Sequence, residues 1–169
     1  MTLRPTSVPD KSRPVRVLFV CLGNICRSVA AQHVFESVAQ ARGADGRFVV
    51  DSAGTYGGHA GQLADPRMRQ AAARRGYRLT HRARRVTTED FSRFDILLAM
   101  DDSNLHTLQR LAPTLEERDK VVRMADYLTL FPHYDYVPDP YYEGAAGFEL
   151  VLDMLEDACG TLCDALLAG

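Results

Sequence analysis

Apolar residues in this chain follow two rhythms. Short continuous runs, Val17-Leu18-Phe19-Val20 and Ile96-Leu97-Leu98-Ala99-Met100, sit between turn-forming or charged residues. Runs this short and this apolar suit strands buried on both faces, as in a parallel sheet. Four strands are predicted, over 15–20, 48–50, 95–100 and 121–122, with Asp51-Ser52-Ala53-Gly54 closing the second. Elsewhere the apolar spacing is helical. A helix is predicted over 29–42, stopped by Gly43. Another runs over 66–75, with Pro66 at its first position and Gly76 as its stop. A third covers 101–111, acidic at its start and ended near Pro113. Thr87 and Asp90 have the spacing of a capping box for a short helix. The last helix carries Phe148, Val151, Leu152, Leu155, Cys159, Leu162, Cys163 and Leu166 on one stripe. Segments 55–65 and 133–147 read as loops. Strands alternating with helices predict a single α/β domain with a parallel sheet. Residues 1–14 hold three prolines and no apolar period, which predicts a disordered leader before a domain at 15–169.

Composition narrows the class. The chain has 169 residues, enough for one domain with a real core. Lys plus Arg is 20 against Asp plus Glu 22, a net charge of −2, which excludes a globally basic nucleic-acid binder. No apolar run approaches the length of a transmembrane helix, and the N-terminus lacks the apolar core of a secretory signal. No membrane or nucleic-acid partner is therefore expected. Four cysteines in a chain this long do not form a disulfide framework, so a reducing cytoplasm is the expected setting, with leaderless export left open.

The strongest chemical signal is a strand, then Cys21-Leu22-Gly23-Asn24-Ile25-Cys26-Arg27-Ser28, then a helix. The strand presents Cys21 at the carboxyl edge of the sheet, where α/β proteins bind ligands. The five residues between Cys21 and Arg27 can curl so that their N–H groups point inward. Gly23 and Asn24 tolerate the positive φ that such a nest needs. The following helix aims its positive end at the same spot, and the planar fork of Arg27 suits two phosphate oxygens. A cysteine at a helix N-terminus beside an arginine is favoured as thiolate, and the Ser28 hydroxyl can donate to it. Phosphate-ester cleavage also needs a proton for the leaving oxygen. Asp139, stiffened between Pro138 and Pro140, is the candidate acid; Asp135 in the same loop is its nearest competitor.

At these residues the sequence resembles the low-molecular-weight protein tyrosine phosphatase family. The segments 51–55, 64–67, 81–84, 100–104 and 138–142 also look like family segments, in family order, so the resemblance spans about 15–167. It implies a four-stranded parallel sheet with helices on both faces. It also implies hydrolysis of phosphotyrosine proteins to free inorganic phosphate, without metal or other cofactor, by a monomer or weak dimer. By resemblance Cys21, Arg27 and Asp139 are catalytic, and Asp139 later serves as the base that activates water. Leu22, Gly23, Asn24, Ile25, Cys26 and Ser28 form the phosphate loop, supported by Asn24, Ser52 and His81. Tyr141 and Tyr142 look like an aromatic wall. Cys26 is implied as a reversible disulfide partner of Cys21. Three positions depart from the family. Gly58 precedes His59 where an aromatic residue is common, and Tyr56 is its expected substitute. Val29 stands where Pro is common, and Gln32 where Glu is.

The competing readings are arsenate reduction on the same fold, a non-catalytic phosphotyrosine-binding module, and a zinc site on Cys21 and Cys26. Arsenate reduction needs relay cysteines, and 80–100 has none. A binding module has no use for Cys21, Arg27 and Asp139 together. A zinc site lacks a second Cys or His pair of matching spacing. Eight arginines crowd into residues 67–85. They read as a solvated face with ion pairs, and as a docking surface for an acidic or phosphorylated partner in the alternative.

Overall fold

A computed structural model describes residues 13–169, so positions 1–12 of the expected leader lie outside the described residues. In chain order the elements are β1 (Val15–Cys21), α1 (Arg27–Ala41), β2 (Phe48–Gly54), α2 (Pro66–Ala73), α3 (Asp90–Arg93), β3 (Ile96–Ala99), α4 (Asp102–Leu111), α5 (Leu115–Arg118), β4 (Val121–Arg123) and α6 (Ala145–Ala168). The four strands form one parallel sheet in the order β2-β1-β3-β4. The strand order reverses between β1 and β3, and in open sheets that switch point opens a crevice at the carboxyl ends. Cys21 ends β1 there, and Asp101 follows β3 at the same edge.

Alternation along β1 decides which helices cover which face. Val17, Phe19 and Cys21 join the core beneath α1 and α6; Leu18 and Val20 join the core with Phe91, Phe94, Leu105 and Leu108 from the α3–α4 side. The predicted stripe of α6 is buried throughout, including Cys159 and Cys163. Both thiols are pushed above their ordinary pKa, chiefly by burial, which fits core side chains rather than redox relays. No helix among the described residues is long and apolar enough to cross a membrane.

Several boundaries differ from the sequence expectation. β2 runs on to Gly54, because Asp51 to Gly54 continue the ladder against Leu18 to Cys21. Polar Ser52 is tolerated in a buried strand because its hydroxyl is bonded on both sides. α1 starts two residues early, at Arg27. α2 begins as expected: Pro66 is its first residue and the Asp65 side chain accepts from the Arg67 N–H. Only half of the Thr87/Asp90 box forms. The Asp90 carboxylate accepts from the Thr87 N–H at 2.8 Å, but the Asp90 N–H bonds the Thr87 carbonyl instead of its hydroxyl. Four-residue α5, capped by Thr114, and a 3-10 turn over Met124–Tyr127 were too short for a periodic signal.

Candidate active site

Cys21 is 3% exposed, and past it the chain must reverse into α1 within five residues. The strain of that turn falls on Asn24, whose φ of 56° is in the left-handed region. Gly23, expected to share it, has no positive φ; its lack of a side chain matters instead, since a Cβ there would stand 3.0 Å from His59 Cδ2. Asn24 is buried and all its polar capacity is used. Its Nδ2 donates to Ser28 Oγ at 2.8 Å and to Ser52 Oγ at 3.0 Å. Its Oδ1 accepts from the Arg84 N–H at 3.0 Å and from His81 Nε2 at 3.0 Å. An amide N–H can only donate, so the Arg84 contact fixes which end of Asn24 is oxygen and places the His81 proton on Nε2. Burial lowers the His81 pKa against the opposing pull of Asp51, which favours the neutral ring.

Ser52 Oγ donates onward to Gln32 Oε1 at 2.6 Å, so the neutral amide supplies the acceptor at this departure from the family. Val29, the other helix departure, is simply a buried core residue. Arg84 ion-pairs with Asp51 and Asp90, both at 3.0 Å, which pins the segment carrying His81 against the loop. Gly54 is a contact the sequence did not reveal. A Cβ at Gly54 would lie 2.6 Å from the Leu22 carbonyl oxygen, so the loop backbone rests directly on this residue.

The sulfur of Cys21 lies 3.0 Å from Ser28 Oγ and accepts from the Ser28 N–H at 3.4 Å. α1 has no side-chain cap and no acid in its first turn, which leaves its N-terminal N–H groups available to an anion. Arg27 is 3% exposed, and its Nη1 donates to Asp101 Oδ2 at 2.7 Å and to the Val137 carbonyl at 2.9 Å. Burial works against its charge, but Cys21 and the Asp101 carboxylate outweigh it and hold its pKa above the ordinary value. Asp101 also caps α4, accepting from the Asn104 N–H at 2.9 Å. Its position just beyond an apolar strand was the only available signal for this second duty.

Asp139 stands at the mouth, its Oδ2 3.8 Å from Arg27 Nη2 and its Oδ1 accepting from the Tyr141 N–H at 3.1 Å. Cys21, Arg27, Asp139, Tyr56, Tyr141 and Tyr142 share one cleft of about 220 Å³, which Leu22, Gly23, Ile25, Cys26 and His59 complete. Asp135 is exposed and does not line it. The rings of Tyr141 and Tyr142 meet edge-on, with centroids 4.9 Å apart. Arg67 lies between Tyr141 and Phe148, 5.0 and 4.9 Å from the two ring centroids, and its Nη1 donates to the Tyr141 carbonyl at 2.9 Å. It ties the wall to α2 and α6. Tyr56 fills the space that a side chain at Gly58 would take: a Cβ there would fall 2.1 Å from Tyr56 Oη. Burial pushes the Cys26 thiol well above its ordinary pKa, and neighbouring Cys21 adds to it. All four cysteines are free thiols. Among the described residues, no three His, Cys, Asp or Glu side chains gather as a metal site would require.

The family described as low molecular weight phosphotyrosine protein phosphatase matches residues 16–168. A Streptomyces coelicolor protein named low molecular weight protein-tyrosine-phosphatase is 44% identical over 152 residues, covering 89% of this chain and 93% of its own. The Homo sapiens low molecular weight phosphotyrosine protein phosphatase is 37% identical over 148 residues, covering 85% and 90%. A crystal structure of a protein tyrosine phosphatase from Entamoeba histolytica superposes with a TM-score of 0.89 at 43% identity, covering 92% of this chain and 98% of that one. Sequence, fold and match extend together over nearly the whole described domain: this chain belongs to the low molecular weight phosphotyrosine protein phosphatase family.

Proposed function

We propose that this phosphatase hydrolyses phosphotyrosine in proteins with Cys21 as nucleophile, Arg27 as the clamp on the transferring phosphoryl group, and Asp139 as general acid. One observation carries the assignment. The Cys21 sulfur accepts from the Ser28 N–H and lies 3.0 Å from the Ser28 hydroxyl at the uncapped N-terminus of α1, on the floor of a cleft that also holds Arg27 and Asp139. Asn24 donates to Ser28 Oγ, so the single hydroxyl hydrogen is shared between the Cys21 sulfur at 3.0 Å and the Ala53 carbonyl at 3.3 Å, and a thiolate is the stronger of these two acceptors. The thiolate attacks phosphorus, the tyrosyl–phosphorus bond breaks, and Asp139 gives its proton to the departing oxygen. Arg27 and the first-turn amides hold the equatorial oxygens while charge redistributes. Asp139, now a carboxylate, takes a proton from water as the water attacks the cysteinyl-phosphate, which releases inorganic phosphate and restores the thiolate.

The three tyrosines form an aromatic slot suited to a phenyl ring. Cys26 lies in the same loop, where burial raises its pKa and favours the thiol. Peroxide would convert Cys21 to a sulfenic acid, and attack by the Cys26 sulfur would expel water and leave a disulfide that a thiol reductant reverses. Such chemistry suits the cytoplasm, where reductant is plentiful. The decisive experiment is Cys21→Ser. Turnover of phenyl phosphate should vanish while phosphate binding remains, and acid quench of the wild-type enzyme should trap phosphocysteine. More than a trace of activity in the variant would exclude Cys21 as nucleophile.

A further inference from the structure

Most of the arginine-rich stretch is spoken for by the fold. Arg67 pairs with Asp65, Arg74 and Arg75 with Glu149, and Arg84 with Asp51 and Asp90; Arg69 and Arg82 bond backbone carbonyls. Arg78 and Arg85 are exposed and make no ion pair or side-chain hydrogen bond to any described residue, and of the two Arg85 is the one beside the catalytic cleft. Yet its backbone is firmly placed. Residue 85 bridges Gly54 as a short parallel extension of the sheet, with the Gly54 N–H on the Arg84 carbonyl at 2.9 Å and the Val86 N–H on the Gly54 carbonyl at 2.8 Å. That sets Arg85 at the carboxyl edge that also carries Cys21. Its aliphatic stem runs along Gly57, where a Cβ would come within 3.2 Å of Arg85 Cδ.

Arg85 lines a second groove, of about 550 Å³, with the hydroxyl residues Thr55, Ser103 and Thr107. Leu22 and Tyr56 belong to both this groove and the catalytic cleft, so they form the ridge between the two. The groove's lining holds one cation and no carboxylate. Asp102, beside Ser103 on α4, is already paired with Arg123 at 2.9 Å.

We propose that this groove is a subsite for an anionic side chain, a carboxylate or a second phosphate, borne by the protein substrate a few residues from its phosphotyrosine, with Arg85 as the anchor. The proposal rests on the cleft being the phosphotyrosine site. An extended peptide advances about 3.3 Å per residue, so a chain crossing the Leu22–Tyr56 ridge sets a near neighbour of the phosphotyrosine over Arg85. An unpaired guanidinium with surrounding hydroxyls matches carboxylate and phosphate oxygens, and its exposure makes the contact a tuner of substrate choice rather than a source of tight binding.

The test compares wild type, Arg85→Ala and Arg85→Lys on phenyl phosphate and on phosphotyrosine peptides. The peptides carry Gln, Glu or phosphoserine at each of about three positions on either side. At one position Glu should raise wild-type kcat/KM roughly three- to five-fold over Gln, and phosphoserine roughly tenfold, both fading at high salt. Arg85→Ala should abolish both gains with phenyl phosphate turnover unchanged. Arg85→Lys should keep the Glu gain and lose part of the phosphoserine gain, since Lys cannot bind two oxygens as a fork. Gain from only one of the two anions, lost in Arg85→Ala, would support the subsite and name its ligand. No gain at any position, or a gain that survives in Arg85→Ala, overturns the subsite while phenyl phosphate turnover upholds the cleft. A fall in phenyl phosphate turnover in Arg85→Ala overturns it too, because Arg85 would then serve the fold or the cleft. If wild type turns over no aryl phosphate at all, the cleft assignment fails first and the subsite with it.

Discussion

The phosphate loop and the aromatic rim face each other across one cleft and are built by opposite means. In the loop, Asn24, Arg27 and Ser28 are almost fully buried, and Asn24 spends every donor and acceptor on Ser28, Ser52, His81 and Arg84. On the rim, Tyr142 is 95% exposed and Tyr56 54%, and Asp139 is held by one backbone N–H. A buried polar network fixes one geometry, because each broken bond leaves an unpaired group in a dry interior. An exposed loop can shift at little cost. In the proposed reaction the loop therefore supplies what every substrate needs, a fixed set of donors around one phosphoryl group. The rim, on the same proposal, supplies what differs among substrates. Asp139 crosses this division: it sits on the exposed side, 3.8 Å from buried Arg27, and in the proposed reaction handles a proton that only some leaving groups require.

The sharpest way to expose that crossing is Asp139→Asn. A tyrosyl oxygen leaves with a pKa near 10, so expelling it unprotonated is slow. The variant should lose on the order of 10²–10⁴ in kcat on phenyl phosphate and far less on an aryl phosphate with an acidic phenol. A plot of log kcat against leaving-group pKa should be nearly flat for wild type and steeply negative for the variant. Equal shallow slopes would return the acid role to the exposed Asp135 or to water.

A change beneath the loop should behave differently. Gly54→Ala places a methyl 2.6 Å from the Leu22 carbonyl, against backbone rather than a movable side chain. The loop must shift, and misplacement of about 1 Å in such a site costs on the order of 10² in rate. The loss should be the same for good and poor leaving groups, since the donors around phosphorus move and the acid does not. A loss that grows with leaving-group pKa would mean that loop and rim are not separable.

The sequence revealed this division unevenly. Cys21, Arg27 and Ser28 were legible because strand, turn and helix N-terminus are consecutive, so local rules place all three. The α6 stripe was legible because its period spans the whole helix. The grip of Asp101 on Arg27 was not, since it joins residues 74 apart and a carboxylate after a strand reads equally well as a helix cap. Gly54 reads only as the close of the second strand, because its contribution is to have no side chain under Leu22, and nothing local encodes that. The positive φ expected of Gly23 fell to Asn24 alone, whose amide can be tied from four directions where a glycine cannot.

The smallest expected effect tests the rim. Tyr56 fills the volume above Gly58, so the pair acts as one aromatic position carried by the earlier residue. Stacking of this kind is worth about 0.5–1.5 kcal/mol beyond area burial, which corresponds to roughly two- to tenfold in affinity. Tyr56→Ala should therefore raise KM for phenyl phosphate by that factor and leave kcat nearly unchanged, because the loop and Asp139 stay in place. Gly58→Ala makes the argument more exacting. It keeps every aromatic residue yet puts a methyl 2.1 Å from Tyr56 Oη, so the ring must swing aside. Because the obstacle is the end of a flexible side chain, the fold should survive and KM should rise about as far as in Tyr56→Ala. The transposed double variant, Tyr56→Gly with Gly58→Tyr, returns one ring to one space and should recover most of the loss. If Gly58→Ala leaves KM at the wild-type value while Tyr56→Ala raises it, the ring acts from a different position, and the rim must be sought on the Tyr141–Tyr142 side alone.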